Sequence, residues 1–141
     1  MWPDPVERIA AFIRSSGAEA RIEELPAGSD SLPDPALRAA GFECDGRRLV
    51  VLGPADRTVD RDKVAGAAGC GTLRPGPFPA FPFQGAQVYL DRTLLTPALV
   101  WLEAGSPRHV LGLAPSELVR LTQAQSADVL LAGEVRDRGR G

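Results

Sequence analysis

The stretch from Gly85-Ala86-Gln87-Val88-Tyr89-Leu90-Asp91-Arg92 through Trp101-Leu102-Glu103-Ala104-Gly105-Ser106-Pro107-Arg108-His109-Val110-Leu111-Gly112-Leu113 decides the fold. It contains three apolar runs, 86–90, 98–102 and 109–113. Val, Tyr, Leu and Trp dominate them, and such residues pack well on a pleated surface, so each run reads as a short strand. Asp91-Arg92 closes the first run and Ala104-Gly105-Ser106-Pro107 closes the second. Ala114-Pro115-Ser116-Glu117-Leu118-Val119-Arg120-Leu121 then reads as the start of a helix near Ser116, with proline in its first turn.

Working outward, Asp45-Gly46 stands between the runs 37–44 and 48–52. Asp-Gly is a two-residue turn in which both central residues take positive φ, so these runs form an antiparallel hairpin. Leu49-Val50-Val51-Leu52 is apolar on both faces and belongs at the centre of a sheet. In the preceding strand Arg38, Ala40, Phe42 and Cys44 share one face; Leu37, Ala39, Gly41 and Glu43 share the other. Val6, Ile9, Ala10 and Ile13 recur at helical spacing, with Pro5 at the start and Gly17 past the end. A second helix runs from the cap Asp60 to Gly69. Residues 21–26 are a strand candidate ended by Pro26, residues 27–35 are a loop, and residues 71–84, rich in Gly, Pro and Phe, form a long loop. No internal repeat is visible. Residues 133–141 read as a mobile tail.

The order of these pieces resembles the YbaK/EbsC family, free-standing relatives of the editing domain inserted in some prolyl-tRNA synthetases. The resemblance rests on a strand ending in Asp91, the Ala104-Gly105 turn, the Pro115-x-Glu117-Leu118 helix start, and the upstream segment from Leu49 through Val59-Asp60 to Lys63-Val64-Ala65. It covers about residues 6–130. It implies an α+β fold, a mixed, mostly antiparallel, curved or barrel-like sheet flanked by helices. It also implies one editing domain over residues 1–132. The implied activity is removal of a wrong amino acid from the 3′ end of a tRNA, in the cytoplasm, with no cofactor and no metal. One departure is expected: relatives carry a helix between the first two strands, and the prolines of residues 26–35 leave room for one turn at most.

Composition fits this class. Hydrophobic residues make up 44% and charged residues 24%, as in ordinary globular domains, and 141 residues suffice for one core. No apolar run approaches the ~20 residues that span a bilayer, so no membrane association is expected. The N-terminus lacks a basic start and an apolar signal core, so no export is expected and Cys44 and Cys70 are read as reduced thiols. The net charge of −2 argues against gripping DNA or long RNA through many phosphates, but leaves recognition of one nucleic-acid end open. The two cysteines are far apart and His109 is the single histidine, which does not make a metal site. There is no Gly-x-Ser-x-Gly elbow and no phosphate-binding Gly-x-x-x-x-Gly-Lys loop. Oligomeric state is not legible.

Arg38 is the catalytic candidate. The family's lysine lies eight residues ahead of the hairpin glycine, and eight residues before Gly46 is Arg38. A guanidinium keeps the charge and can bind a carbonyl or phosphate oxygen through two N–H groups, but it cannot serve as a general base. The plain alternative is a strand-end arginine reaching solvent or a carboxylate. Because Arg38 shares a face with Phe42 and Cys44, the charge is expected to point inward, where it needs a partner or a ligand. Phe42 and Cys44 are substrate-binding candidates on that face.

Relatives line the aminoacyl pocket with a Gly-x-x-x-Pro loop. Pro82 matches the proline, Phe78 replaces the glycine, and Phe83 follows. These rings narrow a pocket, pin the loop to the core, or stack on the terminal adenine. Gly105 and Ser106 offer backbone N–H groups for an oxyanion or form an ordinary turn. Asp91 orients a polar ligand or ends its strand. His109 reads as a hydrogen-bonded core histidine. A binding module that kept the fold and lost the chemistry remains the alternative function.

Overall fold

The computed structural model describes residues 2–29 and 31–133. Helix α1 (Asp4–Ser16) turns Val6, Ile9 and Ile13 into the protein and ends where Gly17 adopts φ 70°. Strand β1 (Ala20–Glu24) follows. The described part of residues 25–36 contains no helix, as the prolines foretell. Strands β2 (Leu37–Cys44) and β3 (Arg47–Pro54) form the hairpin, with Asp45 at φ 50° and Gly46 at φ 86°. Helix α2 (Arg61–Ala68) is capped by Asp60, whose carboxylate accepts from the N–H groups of Asp62 and Lys63. Strands β4 (Leu73–Pro75), β5 (Gln87–Asp91), β6 (Val100–Ser106) and β7 (His109–Leu113) follow, with a 3₁₀ segment at Arg92–Leu95. Helix α3 (Pro115–Thr122) and strand β8 (Gln125–Ala127) complete the described chain.

Two open sheets result. The larger has the order β4-β2-β3-β5-β8 and the smaller β1-β7-β6. The expected mixed, mostly antiparallel α+β arrangement is present: β3–β5 and β5–β8 pair in parallel, and the other pairs are antiparallel. The sheets do not close into a barrel; an isolated bridge from Ala36 to Trp101 links them.

Strand parity assigns each side chain to a layer. Val50, Leu52, Val88 and Leu90 of the larger sheet meet Val100, Leu102, Leu111 and Leu113 of the smaller one in the main core, with Ile9, Ile13 and Leu118 from the helices. The alternate residues Leu49, Val51 and Tyr89 face the other way, against Val64 of α2 and Val129. Each Leu or Val so buried contributes about 1.5–3 kcal/mol relative to exposure, which is why β3 holds the centre. A third group, Leu25, Trp101 and Val110, covers the outer face of the smaller sheet.

Two elements escaped the sequence reading. Strand β4 has three residues, includes Pro75, and is held only because β2 offers it an open edge. Strand β8 is Gln-Ser-Ala, with no apolar signal, and is recruited by parallel pairing to β5. The tail expected at 133–141 lies, beyond Gly133, outside the described residues.

The cysteines correct another expectation. Cys44 and Cys70 form a disulfide, with Cα atoms 5.4 Å apart, inside the range such bridges need. Twenty-six residues separate them in sequence, but α2 folds back across β2 and β3 and returns its C-terminus to the end of β2.

Candidate functional site

Arg38 lies on β2 opposite Gly53. It shares its face with Phe42 and Cys44, as the alternation requires, but it does not face a core: it is exposed, while those two are buried. The far end of this face is covered by α2 and its flanks. The Arg61 guanidinium lies 5.7 Å from the centre of the Phe42 ring and also donates to the Leu73 carbonyl at 3.1 Å. Cys44 is closed off by Cys70. That cover has ended at Arg38, so the inward orientation expected from parity is corrected: its charge keeps its water and needs no buried partner. Among the described residues it makes no hydrogen bond or ion pair. Phe42 and Cys44 are packed rather than open to a ligand.

The proline-phenylalanine loop is fixed to the opposite face of β2. The Gly76 N–H donates to the Gly41 carbonyl at 2.9 Å, and the Pro77 carbonyl occupies the space where a Cβ on Gly41 would stand. Gly41 has the parity of Leu37 and Ala39, not of Arg38. Phe81 and Phe83 insert into the main core, edge to face with each other at 5.7 Å, and Phe12 meets Phe81 at 5.9 Å. Pro82 is half-buried and follows a cis peptide bond. These residues pin the loop. Phe78 alone of these rings projects outward, 76% exposed.

The remaining candidates are engaged locally. Gly105, at φ 92°, sits against the backbone of Pro5 and Val6. The Ser106 hydroxyl lies 2.7 Å from His109 Nδ1 and accepts from the Arg108 N–H at 3.1 Å. His109 is buried, with the Trp2 ring edge-on at 5.4 Å. Asp91 is 1% exposed. Its carboxylate accepts from the Thr93 N–H and hydroxyl and from the Val129 N–H, tying β5 to the segments on both sides. Gly105 and Ser106, expected in a turn, are the last residues of β6, and the turn falls at Pro107-Arg108; Arg38, the loop, this strand end and Asp91 each make their own local contacts.

A cleft that the sequence reading missed opens where β3 and β5 end. Its volume is about 520 Å³, and residues 34–36, 54–57, 93, 94 and 97 line it. The crevice beyond the carboxyl ends of parallel strands is a recurrent ligand position in open α/β sheets. The hairpin register brings the first two segments together: Leu37 pairs with Pro54, and the Ala55 N–H donates to the Ala36 carbonyl at 3.0 Å. Counting outward from Asp45-Gly46 would have revealed this juxtaposition. Arg38 is two residues beyond Ala36 in the chain and is not among the residues of the cleft wall.

Among the described residues, the carboxyl groups of Asp45 and Asp128 are held below the usual carboxylate range, both at structural clips. Asp45 accepts from the N–H groups of Gly71 and Thr72, each at 2.9 Å. Asp128 accepts from the Lys63 ammonium at 3.2 Å. Among the described residues no group of three or more His, Cys, Asp or Glu could hold a metal ion, and no helix is long and apolar enough to cross a membrane.

This α+β architecture is the YbaK-like fold. A solved structure described as a proposed trans-editing enzyme for prolyl-tRNA synthetase matches with a TM-score of 0.81 and 22% identity, covering 94% of this chain and 100% of that one. A scaffold used in epitope backbone grafting by computational design matches at 0.81 and 21% identity, over 93% and 99% of the two chains. A hypothetical protein matches at 0.77 and 18% identity, over 88% and 99%. No protein-family model and no curated protein matches the chain. At these identities the likeness defines the fold.

Proposed function

We propose that the protein is a hydrolase that removes the amino acid from the 3′ end of mischarged tRNA in the cytoplasm, within a single domain over residues 1–132. The supporting observation at the residue level is that Arg38 stands exposed on β2, two residues along the chain from Ala36 in the wall of a cleft of about 520 Å³. The fold, alike over the full length to a proposed prolyl-tRNA trans-editing enzyme, supports the same reading.

An aminoacyl ester is already activated, so positioning and charge stabilisation suffice without a protein nucleophile. Water adds to the ester carbonyl carbon. The bond from that carbon to the ribose oxygen breaks, and the oxygen leaves with a proton as the terminal hydroxyl. Arg38 donates to the carbonyl oxygen as negative charge develops there, or to the neighbouring phosphate. The guanidinium neither gives up nor takes up a proton, so the proton passes through water or the substrate's own hydroxyl.

The engaged Ser106 hydroxyl and Asp91 carboxylate favour a second reading, a module that binds an aminoacyl-adenosine end without cleaving it. The test is deacylation of several mischarged tRNAs by wild type beside Arg38→Ala. Loss of one charge-assisted hydrogen bond in the transition state lowers the rate about tenfold, since ~1.4 kcal/mol is a factor of ten. An unchanged rate returns Arg38 to a plain surface role. A panel left intact at micromolar enzyme overturns the hydrolase, and binding of a non-hydrolysable aminoacyl-adenosine without turnover selects the module.

A further inference from the structure

We infer that the Cys44–Cys70 bridge is a thiol–disulfide exchange site, a reversible clasp that a small thiol or a dithiol reductant opens at Cys70. Only the compartment is taken from the proposed function, because disulfides of cytoplasmic proteins are usually transient and catalytic or redox-sensing. The free thiols read from the sequence and the bridge in the structure are then two states of one pair.

The bridge is unequal in access. Cys44 is fully buried, and Cys70, just past the C-terminus of α2, is half-buried. An incoming thiolate is thereby directed to the Cys70 sulfur, and attack on one sulfur of a disulfide expels the other. The expelled sulfur is that of Cys44, and Arg47 Nη2 stands 3.1 Å from it. A cationic N–H donor at that distance stabilises the departing thiolate. Arg47 pairs with Cys44 in the β2–β3 register and also donates to Gln87 Oε1 at 3.1 Å and to the Ala68 carbonyl at 3.2 Å. Its guanidinium is therefore in place before the reductant arrives. In the first step a bond forms between the reductant's sulfur and Cys70, the Cys44–Cys70 bond breaks, and its electron pair leaves on Cys44. In the second step another thiolate of the reductant attacks the reductant sulfur of this mixed disulfide, and Cys70 leaves as a thiolate. Water supplies the protons that the released thiolates take up. The protein gains two electrons and the reductant becomes a disulfide; the reverse sequence, from an oxidised disulfide of the same class, closes the clasp.

The opening is local because a second clip spans the same junction. The Asp45 carboxylate, next to Cys44, accepts from the Gly71 and Thr72 N–H groups, each at 2.9 Å, and the Asp45 N–H donates to the Thr72 carbonyl at 3.3 Å. These bonds keep Cys70 within reach of Cys44 when the bridge is open, so reclosure is intramolecular and favoured. The bridge adds its hold to the last turn of α2, where the Cys70 N–H donates to the Ala65 carbonyl at 2.9 Å. Ala68 and Cys70 pack in the same layer as Phe42 and Leu49. Reduction releases that turn without unfolding either sheet.

The test exposes the oxidised full-length protein to excess reduced glutathione or to dithiothreitol, quenches with an alkylating agent, and maps the adducts by peptide mass beside amide hydrogen exchange. The expected result is opening in the folded state at a rate indifferent to low urea, a glutathione adduct on Cys70, and faster exchange centred on residues 65–70. Cys44→Ala, which cannot reclose, should retain that adduct, and Cys70→Ala should leave Cys44 unmodified. Arg47→Gln should slow opening about three- to tenfold, less than a full charge-assisted hydrogen bond because the guanidinium is exposed and screened; the neighbouring Arg48→Gln should not. An adduct on Cys44, an opening rate that climbs with the unfolded fraction, or a bridge untouched by dithiothreitol each overturns the inference. An Arg47→Gln rate equal to wild type overturns the role given to Arg47. No tRNA enters the assay, so failure of the exchange leaves the hydrolase standing, and failure of the hydrolase leaves the exchange standing.

Discussion

Asp91 places a carboxylate, almost fully buried, where three donors converge: the Thr93 N–H, the Thr93 hydroxyl and the Val129 N–H. Removing the acceptor strands the buried Val129 N–H, which costs more than the bond itself contributes, and leaves the two donors of the exposed Thr93 to water. Asp91→Ala should destabilise the protein by about 3 kcal/mol, whereas Asp91→Asn, which keeps one acceptor oxygen, should cost about half as much. Urea unfolding midpoints measure both; equal midpoints for Asp91→Ala and wild type would refute the assignment. Sequence alone could read Asp91 as a strand end, but not as this clip, because Val129 lies 38 residues away. Arg38 shows the same limit. Alternation correctly placed it on the Phe42 face, but parity does not say how far along a strand the cover extends. Cys44 and Cys70 were misread for a related reason: a disulfide is a matter of where a helix returns, and spacing does not carry that.

At the scale of elements, the hairpin and the first two helices were legible because each announces its ends locally, through Asp45-Gly46, Gly17, Asp60 and Gly69. The loop at 76–83 announced only its composition. Its attachment depends on Gly41, the one position on β2 where the Pro77 carbonyl can lie against the strand. Gly41→Ala should displace the loop, loosen Phe81 and Phe83, cost about 1–3 kcal/mol, and speed exchange of the Gly76 amide. A cost within about 0.5 kcal/mol, ordinary for an indifferent surface site, would show that the loop is held elsewhere. Two carboxylates clip elements together in a pH-dependent way. Asp45 binds the lead-in to β4 and Asp128 binds Lys63 of α2, and both titrate below their unfolded values. A depressed folded pKa gives stability that is complete above the unfolded value of about 3.9 and is lost as pH falls through the folded one. The advantage of wild type over Asp45→Asn or Asp128→Asn should therefore be constant above about pH 5 and shrink below about pH 4. A gap that stays constant into strong acid would remove both clips.

For the molecule as a whole, the larger sheet carries apolar cover on both faces, and the smaller sheet caps one of them. Ligand chemistry is thereby confined to strand ends and edges, which is where the cleft and Arg38 lie. The apolar runs made the layering legible; the cleft was not, because three distant segments meet there without a shared motif. On the proposed function, the net charge of −2 on 141 residues limits how the tRNA would be held. A chain with no large positive excess is unsuited to following a duplex, and the proposed substrate would have only the few phosphates near its acceptor end neutralised. With about two phosphate contacts to a single strand, the slope of log affinity against log salt is about −0.7 per contact, or near −1.4, so a fourfold rise in salt weakens binding roughly sevenfold. Measuring KM for mischarged tRNA across that range tests it, with Arg38→Ala expected to flatten the slope by about 0.7. A slope steeper than about −4 would mean six or more contacts and an extended nucleic-acid surface, which is incompatible with reading one end. A slope unchanged in Arg38→Ala would place the phosphate on a different arginine and leave Arg38 to the ester carbonyl alone.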